Sequence, residues 1–400
     1  MQIARIKELK NLYREVLLKD IVPFWTKHSI DWVNGGYYSY LDRDGSILNT
    51  DKSVWILGRQ CWLYSKLYNT VDKRAEWLEA AKNGYDFLNK YCFDSDGRMF
   101  FQVTKDGQPL RKRRYFFSEP FAVMAYVEHA KAAGIEESLE KARNVYKSII
   151  RMYETPGILP PKIIPETRKL RSHGNTMSLL ATSLVINEAD ENGFYEKAID
   201  NCVNDIFRYF VKNDRKALLE VVGENGEIID NPDGRCINPG HSIESSWFLM
   251  HEGMRRNDKS IIDRAVEILD WSFERGWDKE YGGLLSFVDL DGKPPEKVEW
   301  DMKYWWPHNE TMYATLLAHY LTGDAKYEAL YEKVHAWTFK HFPDPEYGEW
   351  YGYLHRDGSV SLPIKGSVWK GPFHIPRQLL YGIELLEKME NDAAATNRKE

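Results

Sequence analysis

Apolar side chains recur every three or four positions through long stretches of this chain. The stretches are Ile6–Leu18, Val54–Leu67, Trp77–Tyr91, Phe121–Ala133, Leu139–Tyr153, Met177–Asn187, Phe194–Phe210, Ile243–Met254, Ile261–Phe273, Thr311–Leu321, Leu330–Phe342 and Ile375–Met389. That period predicts about twelve helices. Between them runs a second pattern, of period two. Gly35-Gly36-Tyr-Tyr-Ser39-Tyr-Leu-Asp42-Arg-Asp44-Gly45 recurs without a gap as Gly282-Gly283-Leu-Leu-Ser286-Phe-Val-Asp289-Leu-Asp291-Gly292. Gly348 to Gly358 is a third copy, Gly97 to Gly107 a weaker fourth, and Leu218 to Gly226 a fifth. Aromatic and β-branched residues alternate up to an Asp-Gly or Asn-Gly pair, the signature of a short hairpin.

The copies are spaced by roughly sixty residues or a multiple of that, which signals a repeat architecture. Six helix pairs would close into a ring, an all-α (α/α)6 barrel with an inner and an outer circle of helices. An open superhelix of stacked pairs has the same periodicity. No composition shift or Gly/Ser linker divides the chain, so one domain is expected over 1–390, with a polar tail over 391–400.

The repeats put unusual residues where inner helices should begin. Past the successive turns stand Arg59, Glu119, His241, Glu310 and His374, and the unit without a recognisable hairpin offers His173. Lys52 and Lys303 anchor the register, each preceding a Trp (Trp55, Trp306) by three residues and the special residue by seven. If the inner helices start at one end of the ring, these side chains converge on one mouth, a plausible pocket. A Glu near a helix N-terminus is also a routine cap, which alone would account for Glu119. A His before a helix can simply bond the loop, and His173 is open to that reading. Several such positions in register favour function.

Composition removes other classes. With 54 Lys and Arg against 60 Asp and Glu, the net charge is −6, so nothing draws the chain to nucleic acid or an anionic membrane. The cluster Arg111 to Arg114 reads as a solvated loop. Cys61, Cys92, Cys202 and Cys236 are scattered without a CxxC pair, as in a reduced cytoplasmic protein with no zinc site. The start carries no signal-peptide pattern, and no run of apolar residues is long enough to span a membrane. His251-Glu252 is followed by Arg255 where a zinc protease needs His. Phosphate loops, dinucleotide motifs and nucleophile elbows are missing too. A glycosidase needs only two carboxylates and fits the helical ring, but the strongest positions hold His.

Two neutral imidazoles on opposite sides of a carbon could take a proton from one face and return it from the other. Abstraction next to a carbonyl builds negative charge on oxygen, which a fixed cation such as Arg59 would stabilise. Glu244 or Glu310 could orient an imidazole or hold sugar hydroxyls.

The block Asn238-Pro-Gly-His-Ser-Ile-Glu-Ser-Ser-Trp-Phe248 resembles the N-acylglucosamine 2-epimerase (renin-binding protein) family. The resemblance continues through Tyr281-Gly-Gly283, Lys303-Tyr-Trp-Trp-Pro-His-Asn-Glu310, Asp344-Pro-Glu-Tyr-Gly-Glu-Trp350, Lys370-Gly-Pro-Phe-His-Ile-Pro-Arg377 and Gly58-Arg59-Gln60, spanning nearly the whole chain. It implies the (α/α)6 barrel and cofactor-independent, metal-free epimerisation at C2 of an open-chain sugar through an enediolate. The substrate pair it implies is N-acetylglucosamine and N-acetylmannosamine. His241 and His374 would be the acid/base pair, with Arg59 and Glu310 at the reaction centre. His173, Glu244 and Glu119 are candidate supporting or substrate-binding residues, and Trp305 and Trp306 a sugar-stacking face. The resemblance also brings a homodimer, and ATP as a candidate allosteric activator, although no nucleotide motif is visible. Relatives acting on cellobiose or mannose share the two histidines, and a silent sugar- or protein-binding member is the remaining alternative. One departure stands out: animal members tend to carry Cys after the Lys-Gly of the last block, where this chain has Pro372.

Overall fold

The computed structural model describes residues 1–190 and 192–396. Its helices are α1 (Ile3–Glu15), α2 (Val22–His28), α3 (Val54–Thr70), α4 (Ala75–Tyr91), α5 (Ser118–Ala133), α6 (Glu136–Glu154), α7 (His173–Ala189), α8 (Gly193–Asp205), α9 (Pro239–Arg256), α10 (Lys259–Gly276), α11 (Trp305–Thr322), α12 (Ala325–His341) and α13 (His374–Thr396). A π-helical turn, Val16–Ile21, joins α1 and α2 into one long outer helix, and Ile206–Phe210 extends α8 in the same way. Among the described residues, twelve helices in six pairs result, as the periodicity predicts. The expected tail begins within α13, and 397–400 lie outside the described residues.

The two circles differ in how they are buried. Outer α6 is amphipathic, burying Ala142, Val145, Tyr146, Ile149 and Ile150 at helical spacing. Inner α11 buries almost every residue from Trp305 to His319, as a helix enclosed on all sides must. Inner helices pack in series: α3 on α5, α5 on α7, α7 on α9, α9 on α11 and α11 on α13. Phe373, just before α13, and Tyr381 on it close the circle against Trp62 of α3, with ring centroids 5.2 and 6.5 Å away. The ring is therefore closed, and the open superhelix is set aside.

The hairpin pattern is partly redrawn. Turns at Gly45, Gly107 and Gly358 do close hairpins: Tyr40–Leu41 with Ile47–Asn49, Gln102–Val103 with Pro109–Arg111, and Tyr353–Leu354 with Val360–Leu362. At Gly226 and Gly292 the strand before the turn pairs with a distant segment instead. Val221–Gly223 takes Leu170–Ser172, and Val288–Asp289 takes Cys236–Ile237. Each distant segment directly precedes an inner helix. The same link joins Lys52–Ser53 to Gln102–Val103 and Lys303–Tyr304 to Tyr353–Leu354. One repeat's turn thus braces the inner-helix entrance of the repeat before it. Main-chain bonds between Leu41 and Lys365–Gly366 carry this brace from the last unit to the first.

Buried Lys–Asp pairs reinforce three of the six entrances, those of α3, α11 and α13. Lys52 reaches Asp31 at 2.8 Å, Lys303 reaches Asp278 at 2.9 Å, and Lys365 reaches Asp344 at 3.0 Å. Arg356 joins Asp278 and Arg43 joins Asp344, each from the neighbouring unit. The result is a stiff rim from which the inner helices start. None of the described helices is long and apolar enough to cross a membrane.

Candidate active site

Inside the rim lies a cavity of about 380 Å³. Its wall is largely aromatic, with Trp55, Phe117, Phe121, Trp306, Trp369 and Phe373, and its charged and imidazole groups are Arg59, His241, Glu244, His374 and Arg377. Asn238 accepts the His241 N–H at 3.1 Å, so it caps α9, and Pro239 fits the first turn, where its missing N–H costs nothing. Gly240 lets the Trp306 indole lie against this turn, since a Cβ there would come within 2.6 Å of the ring. His374 opens α13 and Arg59 sits in the second turn of α3.

On one side, the His374 Nδ1 is 2.7 Å from the Glu310 carboxylate. The Arg377 Nη2 donates to the same Glu310 oxygen at 2.7 Å and also to Glu244, while the Trp247 indole donates to the other Glu310 oxygen at 2.9 Å. Donor atoms of Glu244, Glu310 and His374 lie within 4.8 Å of one another, and the Arg377 guanidinium supplies the positive charge among them. Burial, then the cations Arg377 and Arg59, hold the His374 imidazole well below its usual pKa. It is neutral at pH 7. An ionised Glu310 only accepts, so the proton of His374 belongs on Nδ1 and the lone pair on Nε2.

The opposite side has another balance. The His241 Nδ1 is 3.0 Å from a Glu220 oxygen. Burial pulls the His241 pKa down, but the Glu220 carboxylate, and more weakly Glu244, outweigh it and raise it. Burial would likewise raise Glu220, yet His241 and His173 hold it far below the usual carboxylate range. Among the described residues neither Nε2, of His241 or of His374, has a protein partner, and neither is sealed from solvent. The Trp306 ring touches both imidazoles, with centroids 5.2 and 5.8 Å away.

Arg59 completes the polar set. Its guanidinium lies over Phe121 at 4.1 Å and, among the described residues, donates only to the Trp369 carbonyl at 3.2 Å and pairs with no carboxylate. Burial and then Arg377 lower its pKa to about 9, against Glu244 and Glu310, so it remains a cation at neutral pH. A buried cation without a counter-ion is costly, and this one is aimed at the cavity.

Three expected residues stand elsewhere. Glu310 lies behind the wall, reaching the cavity through His374 and Arg377. His173 is fully buried, with Nε2 2.9 Å from the Ser245 hydroxyl and Nδ1 3.5 Å from Glu220, so it has no nitrogen left for a ligand. Glu119 does not line the cavity: its carboxylate accepts the Met99 N–H at 2.9 Å, tying a turn to α5. His308 does the same job for the Leu284 N–H at 2.9 Å, which explains Glu119 as part of the frame. Trp305 and Trp306 both line the wall, Trp305 with little exposure.

Arg377 and Glu220 were not among the sequence candidates. Arg377 had a signal, standing one helical turn after His374 on the same face. Glu220 had none, because its place in an alternating run reads as an ordinary strand position.

Comparison with known proteins agrees with this architecture. The family model of N-acylglucosamine 2-epimerase (GlcNAc 2-epimerase) matches residues 36–375. The chain is 38% identical over 380 residues to the N-acylglucosamine 2-epimerase of Bos taurus, covering 93% of this chain and 90% of the relative. It is 26% identical over 404 residues to the cellobiose 2-epimerase of Eubacterium cellulosolvens, covering 92% and 98%. Among solved structures, the cellobiose 2-epimerase of Bacillus thermoamylovorans B4167 superposes with a TM-score of 0.83 at 24% identity, over 94% of this chain and 99% of that one.

Proposed function

This chain belongs to the N-acylglucosamine 2-epimerase family and is a carbohydrate epimerase; we propose that it interconverts N-acetylglucosamine and N-acetylmannosamine by moving a proton at C2 between His241 and His374. The observation that carries this reading is the pair of imidazoles on one cavity, each held at Nδ1 by a carboxylate and each free at Nε2. The sugar enters as the open-chain aldehyde. One Nε2 takes the C2 proton, the C–H electrons form the C1–C2 double bond, and negative charge collects on the C1 oxygen. With an acetamido group at C2 this intermediate is an enolate, and Arg59 is the nearby cation without a counter-ion. The other Nε2 then protonates the opposite face.

The electrostatics support an acid and a base in the resting state. His374, held neutral, is the poised base; His241, favoured in its charged form, is the poised acid. Both proton carriers and the cation are side chains of this chain, so the reaction as written draws on no cofactor. The N-acyl substrate is favoured over cellobiose by the higher identity to N-acyl relatives, 37–38% against 24–28% for the cellobiose 2-epimerases.

A proton NMR time course in deuterated water tests the substrate, with N-acetylmannosamine, mannose and cellobiose supplied separately, each with and without ATP. The expected result is N-acetylglucosamine carrying deuterium at C2, with faster growth when ATP is present if the nucleotide activates. Turnover of mannose or cellobiose alone would overturn the N-acyl assignment. Sugar binding without exchange would overturn catalysis.

A further inference from the structure

We infer that Glu220 is a positioning residue of the reaction, the side chain that turns His241 toward the substrate, at the centre of a chain running Ser245–His173–Glu220–His241. This rests on the two-histidine reading above. Glu220 lies between two short strands with its main chain secured on both sides: its N–H donates to the Cys236 carbonyl at 3.3 Å and its carbonyl accepts from His173 at 2.9 Å. The side chain is thus delivered by backbone contacts that a substitution would leave in place. One oxygen meets the His241 Nδ1 at 3.0 Å and the other faces the His173 Nδ1 at 3.5 Å. The His173 Nε2 continues to the Ser245 hydroxyl at 2.9 Å. Ser245 stands one helical turn beyond His241 on α9, so the chain leaves that helix and returns to it.

An ionised carboxylate only accepts hydrogen bonds, so Glu220 assigns the His241 N–H to Nδ1 and reserves Nε2 for the cavity. It also sets the charge. The groups facing His241 are Glu220, Glu244 and, across the cavity, His374. Those facing Glu220 are His241, His173 and the Cys236 thiol, which burial and then Glu220 push up to about 12, so it stays neutral. The proton that the two histidines share therefore rests on His241, and activity ends at high pH where His241 loses it. Glu220 sets that limit.

Glu220→Gln keeps the shape and removes the charge. The alkaline limb of kcat/KM should move to lower pH, equally in both directions because the equilibrium constant is fixed, and kcat should fall on the order of a hundredfold. Glu220→Asp keeps the charge and should leave the limb near its native position even where turnover falls. An unmoved limb in an active, folded Glu220→Gln enzyme would overturn the inference, since a purely structural role lowers activity without moving it. If Glu220→Gln does not fold, histidine-labelled native enzyme decides by NMR, with the His241 signals assigned by their loss in His241→Ala. A proton on Nδ1 in the neutral ring and titration above free histidine are expected; a proton on Nε2, or titration at or below free histidine, would overturn it. Full turnover in His241→Ala would instead refute the two-histidine reading itself.

Discussion

At the scale of single residues, charge without a partner is the most informative feature of the cavity. Among the described residues Arg59 has one carbonyl acceptor and an aromatic bed, and no carboxylate within bonding distance. A substrate that becomes anionic only during reaction would meet this cation most strongly at the enolate. Arg59→Met should therefore lower kcat by about 10²- to 10³-fold, the size of a lost oxyanion donor, with a smaller change in KM. Steady-state kinetics in both directions check this; a change confined to KM would make Arg59 a ground-state binder. Residue identity alone did not separate Arg59 from Glu119. Both stand near the start of an inner helix, and only the direction of the side chain, into the cavity or onto the Met99 N–H, distinguishes them.

Between helices, the rim carries buried Asp–Lys pairs at three of the inner-helix entrances. Asp31 accepts from the Asn34 and Val33 N–H groups and pairs with Lys52, both side chains almost wholly buried. Burial opposes its charge, but the Asn34 bonds and Lys52 prevail and lower its pKa to about 2. A depressed carboxylate stabilises the fold above its unfolded pKa of about 4 and loses that contribution as pH falls toward its folded value. Asp31→Asn leaves the Lys52 charge buried and should cost about 3–5 kcal/mol at neutral pH, with a smaller deficit near pH 2. Denaturant unfolding at the two pH values checks this, and equal deficits would contradict it. Helix content was legible because apolar spacing survives in both circles. Helix starts were not legible from the apolar period, only from the repeat register: α7, α9, α11 and α13 begin with His173, Pro239, Trp305 and His374, up to six residues before the period becomes visible. The buried polar residues of these first turns interrupt the period, and they include the ones that line the cavity.

On the scale of the whole molecule, closure of the ring brings the chemistry together. Arg59 comes from the first unit, His241 from the fourth and His374 from the sixth, and the bonds of Leu41 with Lys365–Gly366 and of Arg43 with Asp344 join the last unit to the first. The repeat count and the common end of the inner helices could be read along the chain, so convergence of Arg59, His241 and His374 was foreseeable. The partners that set their charge states were not, because Glu220 meets His241 and Arg377 meets Glu244 and Glu310 through side-chain contacts that no repeat or apolar period marks. The central claim is that two histidines serve opposite faces of one carbon, and single-histidine variants test it most directly. Proton exchange at C2 is followed by NMR in deuterated water for His241→Ala and His374→Ala, starting from each epimer. Both variants should lose epimerisation by 10³-fold or more, while each still exchanges the C2 proton of one epimer, a different one in each variant. Exchange of the same epimer by both variants, or epimerisation near the native rate in either, would contradict the account.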